Sequence, residues 1–361
     1  MAARSYRKIL MVNTFGIGDV LFTTPVIKNI KQQWPGVAIG YVANQRTAPI
    51  LERNPLVDQV FVYERDEFDD LWQTSKIGFF KKAAGLLAQI KSQRYELALD
   101  FSLNTPTGLL LMLAGIPERV GYDYKGRGKF LTRRIPLLGY ENKHVVEYYL
   151  DLLRVLGWQA APYSMTFPLS EQDRIWVDNL LHDYELEDSM VVIVPGGGAS
   201  WGKEAMRKQW PVEYFAQLAD RLIDTYGVKI VFAGGPQDRE FPRKIFRLMK
   251  GTALDLCGRL DLFQSAALFS RSQLTIVNDG GPLHVAVACG AKTVSIFGPV
   301  DERVYGPYPA KGHPVVSSKI ACRPCYRRFR VAQCDHLSCL RNLSVDEVFE
   351  AVKGVLLEKE K

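Results

Sequence analysis

The sequence predicts an α/β protein of two doubly wound parallel-sheet domains. Apolar, strand-length runs alternate with amphipathic, helix-length stretches from end to end, which is the pattern of a parallel sheet covered by helices. The cycle loosens once, around 158–170, and then restarts in the same form. At 361 residues the chain is long for one core and comfortable for two. Its composition, 47% hydrophobic and 24% charged, is that of an ordinary globular protein.

In chain order, "KILMVN" (8–13) reads as a buried strand, followed by a glycine turn and a helix over 19–34. Further strands are predicted over 37–43, 59–64, 95–102 and 118–124, with a helix over 75–93. The stretch 144–157 has helical spacing and ends in Gly157, a C-cap glycine. The stretch "WQAAPYSMTFPLS" (158–170) is the expected linker, dividing a domain 1–165 from a domain 166–343. The second half opens with a helix over 171–184. Strand-then-turn units follow at 189–198, 228–236, 274–282 and 292–299, with helices over 212–227 and 262–273. Pro211 is expected at the first position of the 212–227 helix. Ser344, with Glu347 three residues on, forms a capping box for a last helix over 344–360. That helix, within 344–361, is expected to fold back on the N-terminal domain.

The formal charge of +7 suggests an anionic partner: nucleotide, phosphorylated sugar, nucleic acid or acidic membrane surface. The basic residues are not interleaved with an aromatic stacking platform, so nucleic acid explains them poorly. The apolar run after the basic N-terminus stops at Val12, too short for a signal peptide. No run reaches the length of a membrane span, "GLLLMLAG" (108–115) being the nearest. A soluble, cytoplasmic protein able to touch a membrane surface is expected.

The candidate site comes from the turns. "PGGG" (195–198), "AGGP" (233–236), "NDGGP" (278–282) and "FGP" (297–299) all leave strands of the second half. In a parallel sheet such turns share the carboxyl edge, where the ligand crevice lies. Glycine permits close backbone approach, and a helix starting there offers free N–H groups to phosphate. In "VNDGGPLHVAVACG" (277–290), Gly280 and Gly281 make the turn, Pro282 starts a helix and His284 lies in its first turn. This order builds an anion-binding helix start with a histidine donor, although each turn alone would serve as a plain strand-to-helix connection. Asp279 beside phosphates would repel them, so it is expected to accept backbone N–H bonds or a ligand hydroxyl. The loop 199–211 carries Lys203, Arg207 and Lys208, either as a phosphate clamp or as a solvated basic loop. In the first half, "NTFGIGDVLFTTP" carries Gly16, Gly18 and Asp19 but has Leu21 at the third glycine position of a dinucleotide fingerprint. The second strand is followed by Asn44 and not by an acidic ribose ligand, so the fingerprint is weak. Asp19 reads as a helix cap or as a general base facing across a cleft.

"CRPCYRRFRVAQCDHLSC" places Cys322, Cys325, Cys334 and Cys339 at C-x2-C-x8-C-x4-C spacing. Four sulfurs could hold a structural zinc, with His336 competing as a ligand, or form a partly buried knot of thiols. The nearby Arg323, Arg327, Arg328 and Arg330 would lower thiol pKa values. "KGRGKFLTRR" (125–134) is a second basic patch, a solvated loop or a seat for a phosphorylated acceptor or anionic lipid.

Taken together, "ILMVNTFGIGDVLFTTPVIKNIK", "RVGYDYKGRGKFLT", "HVVEYYLDLLRVLG", "KQWP", "AGGPQDRE" and "VNDGGPLHVAVACG" resemble, in order and over nearly the whole chain, the motifs of glycosyltransferase family 9, the lipopolysaccharide core heptosyltransferases. The resemblance is greatest to heptosyltransferase II-like members. It implies a GT-B fold, two Rossmann-like domains with the active site between them. It also implies inverting transfer of a heptose from ADP-heptose to a hydroxyl of a lipopolysaccharide core or similar glycolipid, at the inner face of the cytoplasmic membrane. By motif, Asp19 would be the base and Lys208 would stabilise the departing diphosphate. Asp238 would sit near the ribose, Ser200 near the phosphates, and Gly18, Gly197, Asp279, Gly280, Gly281 and His284 would line the nucleotide-sugar site. Some members carry lysine where this chain has Asn13. No Asp-x-Asp pair occurs, so the expected chemistry needs no metal cofactor, the helix dipole and lysine taking its place. Two other readings stand beside this one: a GT-B nucleotide-sugar epimerase and a non-catalytic nucleotide-binding protein.

Overall fold

A computed structural model describes residues 6–186, 189–198 and 201–357. The chain divides into two units, Met1–Ser164 and Met165–Lys361, within a residue of the expected boundary.

The first unit holds six parallel strands, β1 (Lys8–Val12), β2 (Ala38–Ala43), β3 (Gln59–Val62), β4 (Leu97–Asp100), β5 (Glu118–Tyr124) and β6 (Arg133–Leu137). They lie in the order β3-β2-β1-β4-β5-β6. The second unit repeats the plan with β7 (Met190–Val194), β8 (Lys229–Phe232), β9 (Ala253–Asp255), β10 (Leu274–Asn278), β11 (Thr293–Phe297) and β12 (Val315–Ser317). Their order is β12-β11-β10-β7-β8-β9. Renumbered from its own first strand, each sheet is the 3-2-1-4-5-6 doubly wound arrangement, whose strand order reverses beside the first strand. That switch point lies between β1 and β4 in one unit and between β7 and β10 in the other. The central strands β1, β7, β10 and β11 are buried almost throughout, as their unbroken apolar runs require.

Three edge-side strands escaped the pattern reading. β9 and β12 are three residues each, too short to show alternation. β6 reads "RRIPL". Its arginines and proline suit an exposed edge, where charge and a missing N–H discourage pairing with another chain. The helix expected over 19–34 is two helices, Ile17–Leu21 and Thr24–Gln33. The hydroxyls of Thr23 and Thr24 each bond back to a carbonyl three residues earlier, those of Val20 and Leu21, and Pro25 starts the second helix. Pro211 is the N-cap of the helix Val212–Tyr226, one position earlier than expected.

The C-terminal helix, Val345–Leu357, corrects another expectation. It packs within the second unit, its Val348, Phe349, Val352 and Val355 belonging to the core formed by β7, β8, β10, β11 and the helix Val212–Tyr226. Arg221 lies over the Phe349 ring at 3.7 Å and pairs with Asp346. The capping box is present: Ser344 N–H donates to Glu347 at 2.8 Å, and Glu347 N–H donates to Ser344 Oγ at 3.3 Å.

In β2, a Cβ on Gly40 would stand 2.0 Å from the Tyr95 hydroxyl and 2.5 Å from its ring carbon. Tyr95 is only 5% exposed and cannot swing away. Gly40→Ala is therefore expected to lower the unfolding free energy by roughly 1–3 kcal/mol, read as a shift in urea midpoint. Adding Tyr95→Leu should lessen the penalty of Gly40→Ala.

Candidate functional site

Each unit gathers its chemically versatile residues at its own switch point. In the second unit all four glycine turns leave the carboxyl ends of parallel strands: β7, β8, β10 and β11. Asn278, fully buried at the end of β10, ties two of them together. Its amide donates to Pro195 O at 2.7 Å, and its carbonyl accepts the Trp210 N–H at 3.3 Å. The loop 195–198 is thereby drawn against the start of the helix Gly281–Ala288. A Cβ on Gly280 would lie 2.6 Å from Gly197 O, and one on Gly198 would lie 3.5 Å from Gly281 N. Gly198 also has φ +72°, the left-handed region. Two backbones approach here as closely as side chains would forbid.

Lys208 closes a short 3-10 helix, Gly202–Lys208, and its ammonium lies 2.9 Å from the Asp279 carboxylate. Both side chains are under a tenth exposed. The Trp201 ring covers the ammonium at 4.1 Å. Trp210, 1% exposed, anchors the same segment by donating from Nε1 to Leu343 O at 3.0 Å. The partner the structure gives Asp279 is thus a lysine, where turn N–H groups or a ligand hydroxyl were expected. Arg207 is also committed, to Glu204 at 2.5 Å and to Ala332 O at 3.0 Å, so the loop is not a free basic fringe. Ser200 and the Lys203 side chain lie outside the described residues. His284 occupies the first turn of its helix and is 5% exposed.

Asp238 caps its own turn. Its Oδ2 accepts the Gly235 N–H at 2.9 Å, and a Cβ on Gly196 would fall 2.3 Å from its Oδ1. Burial pushes its pKa up, against the Gly235 bond.

In the first unit the turn after β1 is held by two buried asparagines. Asn13 accepts the Phe15 N–H at 3.1 Å and donates to Asp19 O at 3.1 Å. Asn44, after β2, donates to Thr14 O at 3.0 Å and Phe15 O at 2.5 Å. Asp19 and Gly18 both stand in the helix Ile17–Leu21, half-buried, and Asp19 Oδ2 accepts the Gly16 N–H at 3.2 Å. The capping reading of Asp19 is therefore realised. Its charge also reaches Tyr41, Tyr140 and Tyr149, whose hydroxyls burial already raises.

Asp100, at the end of β4, was missed by sequence reasoning because one buried aspartate in an apolar run carries no signal of its own. It is 3% exposed, and burial raises its pKa to about 6, opposed by bonds from the Ser102 hydroxyl and N–H and from Thr107.

The four cysteines lie near enough for their thiols to act on one another: burial raises the pKa values of Cys325 and Cys339, and Cys322 and Cys334 both add to the rise. Among the described residues no group of three His, Cys, Asp or Glu side chains is already set to hold a metal ion. Cys339 is buried in the second unit's core while Cys322 is exposed. The segment is anchored by Arg323, which donates to Gly298 O at 2.5 Å, Ser318 O at 3.1 Å, Val300 O at 3.1 Å and Glu302 at 2.8 Å. Cys325 and Tyr326 both donate their N–H to Pro299 O at 3.0 Å. The expected lowering of thiol pKa values is reversed where a shift is resolved: burial raises Cys325, and raises Cys339 to about 11, with Arg323 opposing.

Two doubly wound units in this strand order, one with a glycine-lined helix start behind a buried lysine, define the GT-B architecture of nucleotide-sugar enzymes. Similar solved structures agree. The glycosyl transferase family 9 protein from Veillonella parvula has a TM-score of 0.82 at 23% identity, covering 98% of each chain. The E. coli heptosyltransferase WaaC, solved with ADP, has a TM-score of 0.71 at 18% identity, covering 96% of this chain and 99% of that one. Lipopolysaccharide heptosyltransferase 2 of Escherichia coli K12 is 24% identical over 367 residues, 98% of this chain and 99% of the relative. Residues 84–336 match the model of glycosyltransferase family 9 (heptosyltransferase), and the chain belongs to that family. It is a glycosyltransferase.

Two outcomes follow from the buried charges. Lys208→Met leaves Asp279 uncompensated and should cost roughly 3–5 kcal/mol of stability. The double change with Asp279→Asn should cost less than the single one, in chemical denaturation. The folded pKa of Asp100, about 6, lies above the ordinary 3.8, so the native state holds this proton more tightly than the unfolded chain. Its contribution favours folding below that ordinary value and is lost as pH rises toward the folded one. Asp100→Asn should flatten this decline and raise stability at neutral pH by about 1–3 kcal/mol, measured as melting temperature against pH.

Proposed function

We propose that this glycosyltransferase moves a heptose from ADP-heptose to a hydroxyl of a lipopolysaccharide core or similar glycolipid, with inversion at the anomeric carbon. Family membership supports the reaction class, and the ADP held by a solved relative supports the nucleotide. The observation that carries the donor assignment is the close approach of Gly197 and Gly280 at the start of the helix Gly281–Ala288. Helix N–H groups at a turn without side chains suit a diphosphate.

In this reading Asp19 takes the proton from the acceptor hydroxyl. The oxygen forms its bond to the anomeric carbon as the bond from that carbon to the diphosphate breaks. ADP leaves with the electron pair. The Gly281 helix start and Lys208 stabilise the charge that develops, Lys208 trading part of its contact with Asp279 for a phosphate oxygen. The Gly16 N–H bond fixes the orientation of the Asp19 carboxylate. His284 and Asp238 line the donor pocket, and Asp238 holds its own turn by accepting the Gly235 N–H.

The acceptor is glycolipid, so the enzyme is proposed to work at a membrane surface. Among the described residues no helix is long and apolar enough to cross a membrane. Lys125, Arg127 and Lys129, exposed in the turn after β5, offer charge to a phosphorylated acceptor.

Asp19→Asn should reduce acceptor-dependent ADP release by about 10²–10⁴-fold while leaving ADP binding nearly unchanged by calorimetry. An active Asp19→Asn variant would remove the base. In a thermal-shift panel the ADP-sugar should raise the melting point above what UDP- and GDP-sugars achieve. Sugar inversion without acceptor would favour an epimerase.

A further inference from the structure

The helix Lys76–Gln93 is apolar on both sides although it lies on the surface of the first unit. One side, Phe79, Ala83, Leu86, Leu87 and Ile90, packs into the unit's core. On the other, Ile77 is 84% exposed and Phe80 61%, with Trp72 of the preceding helix Arg65–Thr74 at 49%. The aromatic rings are contiguous, with Trp72 5.0 Å from Phe79 and 6.4 Å from Phe80, and Phe79 5.4 Å from Phe80. Ile77 stands three residues before Phe80 on the same helix face. A surface helix normally turns a polar face outward, and a contiguous exposed apolar patch of this kind marks a contact site.

Charge identifies the occupant. From Lys76 to Arg94 the chain carries Lys76, Lys81, Lys82, Lys91 and Arg94 and no acidic residue. Lys76 stands over the Trp72 ring at 3.4 Å, beside the aromatic patch. The facing helix brings Asp66, Glu67, Asp69 and Asp70, of which Glu67 is taken by Lys82 and Asp69 by Arg65. A second copy of the chain is disfavoured, because a two-fold contact through this patch sets the same lysines against each other. Tryptophan and phenylalanine at the headgroup level, flanked by lysines, suit an anionic lipid surface.

We propose that Trp72, Ile77 and Phe80, with Lys76 and Lys81, form the face by which this protein docks on an anionic membrane. The proposal deepens the glycolipid-acceptor reading by assigning the membrane contact to one face. Vesicle binding tests it without requiring turnover. The purified full chain should co-sediment with vesicles of phosphatidylglycerol and phosphatidylethanolamine, less so at high salt, and hardly at all with phosphatidylcholine alone. Ile77→Ser with Phe80→Ser, and separately Lys76→Glu with Lys81→Glu, should each weaken binding about tenfold or more. Both pairs lie on solvent-facing positions, and thermal melts by circular dichroism establish that each variant is folded. Transfer to a water-soluble acceptor fragment should be unchanged in both. Wild-type indifference to anionic vesicles, or folded variants that bind like wild type, would overturn the proposal. So would a concentration-dependent dimer that Ile77→Ser with Phe80→Ser dissociates, since that assigns the face to a second copy. Failure of transfer in the wild type sinks the proposed heptose transfer to that acceptor and leaves the vesicle result standing.

Discussion

The second unit is organised by the contact between two loops at its switch point. Parallel strands deliver β7 and β10 side by side, and each ends in backbone that the sheet no longer satisfies. Asn278 resolves this by bonding to Pro195 O and Trp210 N–H at once. A buried amide can do so because it offers donor and acceptor at one site, and removing it would orphan buried groups on two segments. Once those loops are fixed, Gly197 and Gly280 must be side-chain-free. Trp210 in turn fixes the segment that ends at Lys208, and so brings its ammonium to Asp279. The lysine and aspartate are 71 positions apart in sequence and meet where Asn278 and Trp210 anchor their segments.

The two units share a strand order and fill it differently. At the first switch point the groups are carboxyls and phenols: Asp19, Asp100, Tyr41, Tyr140 and Tyr149. At the second they are glycine amides, a lysine and a histidine. The same solution to loop anchoring recurs, since Asn44 and Asn13 do for the turn after β1 what Asn278 does for the turn after β7. The Gly-x-x-Asp turn recurs as well: Gly16 with Asp19, Gly235 with Asp238, each aspartate accepting the glycine N–H. One scaffold thus yields one end rich in carboxyls and phenols and another rich in glycine amides, which is how a fold is reused while its loops change.

The parts that could be read from the chain are those governed by local physics. Buried strands such as 190–194 and 274–278 announce themselves because both faces are covered and every position is apolar. The glycine turns and the Ser344–Glu347 capping box are short-range devices with fixed spacing. Pattern failed where tertiary context decides. β9 and β12 exist because a neighbour offers hydrogen bonds, and their sequences carry no signal. The Lys208–Asp279 pair and the raised pKa of Asp100 depend on burial, which one-dimensional spacing does not contain. The cysteine spacing gives four ligand types but not the anchor of their segment, which is Arg323 with its bonds to Gly298 O, Ser318 O, Val300 O and Glu302.

The helix Lys76–Gln93 shows the converse. Its length and boundaries are plain in the sequence, and its meaning is not. Apolar residues on all sides of a helix ordinarily predict complete burial. Here Leu86 and Ile90 obey that rule, while Ile77 and Phe80 break it on the opposite face. Folding alone gains nothing from that exposed side, because it stays in water whether the helix is docked or not. Five cations without one carboxylate along 76–94 would also be a poor choice for solubility alone, since mixed signs serve a neutral surface better. Both anomalies disappear if the face is solvated by something apolar beneath an anionic layer.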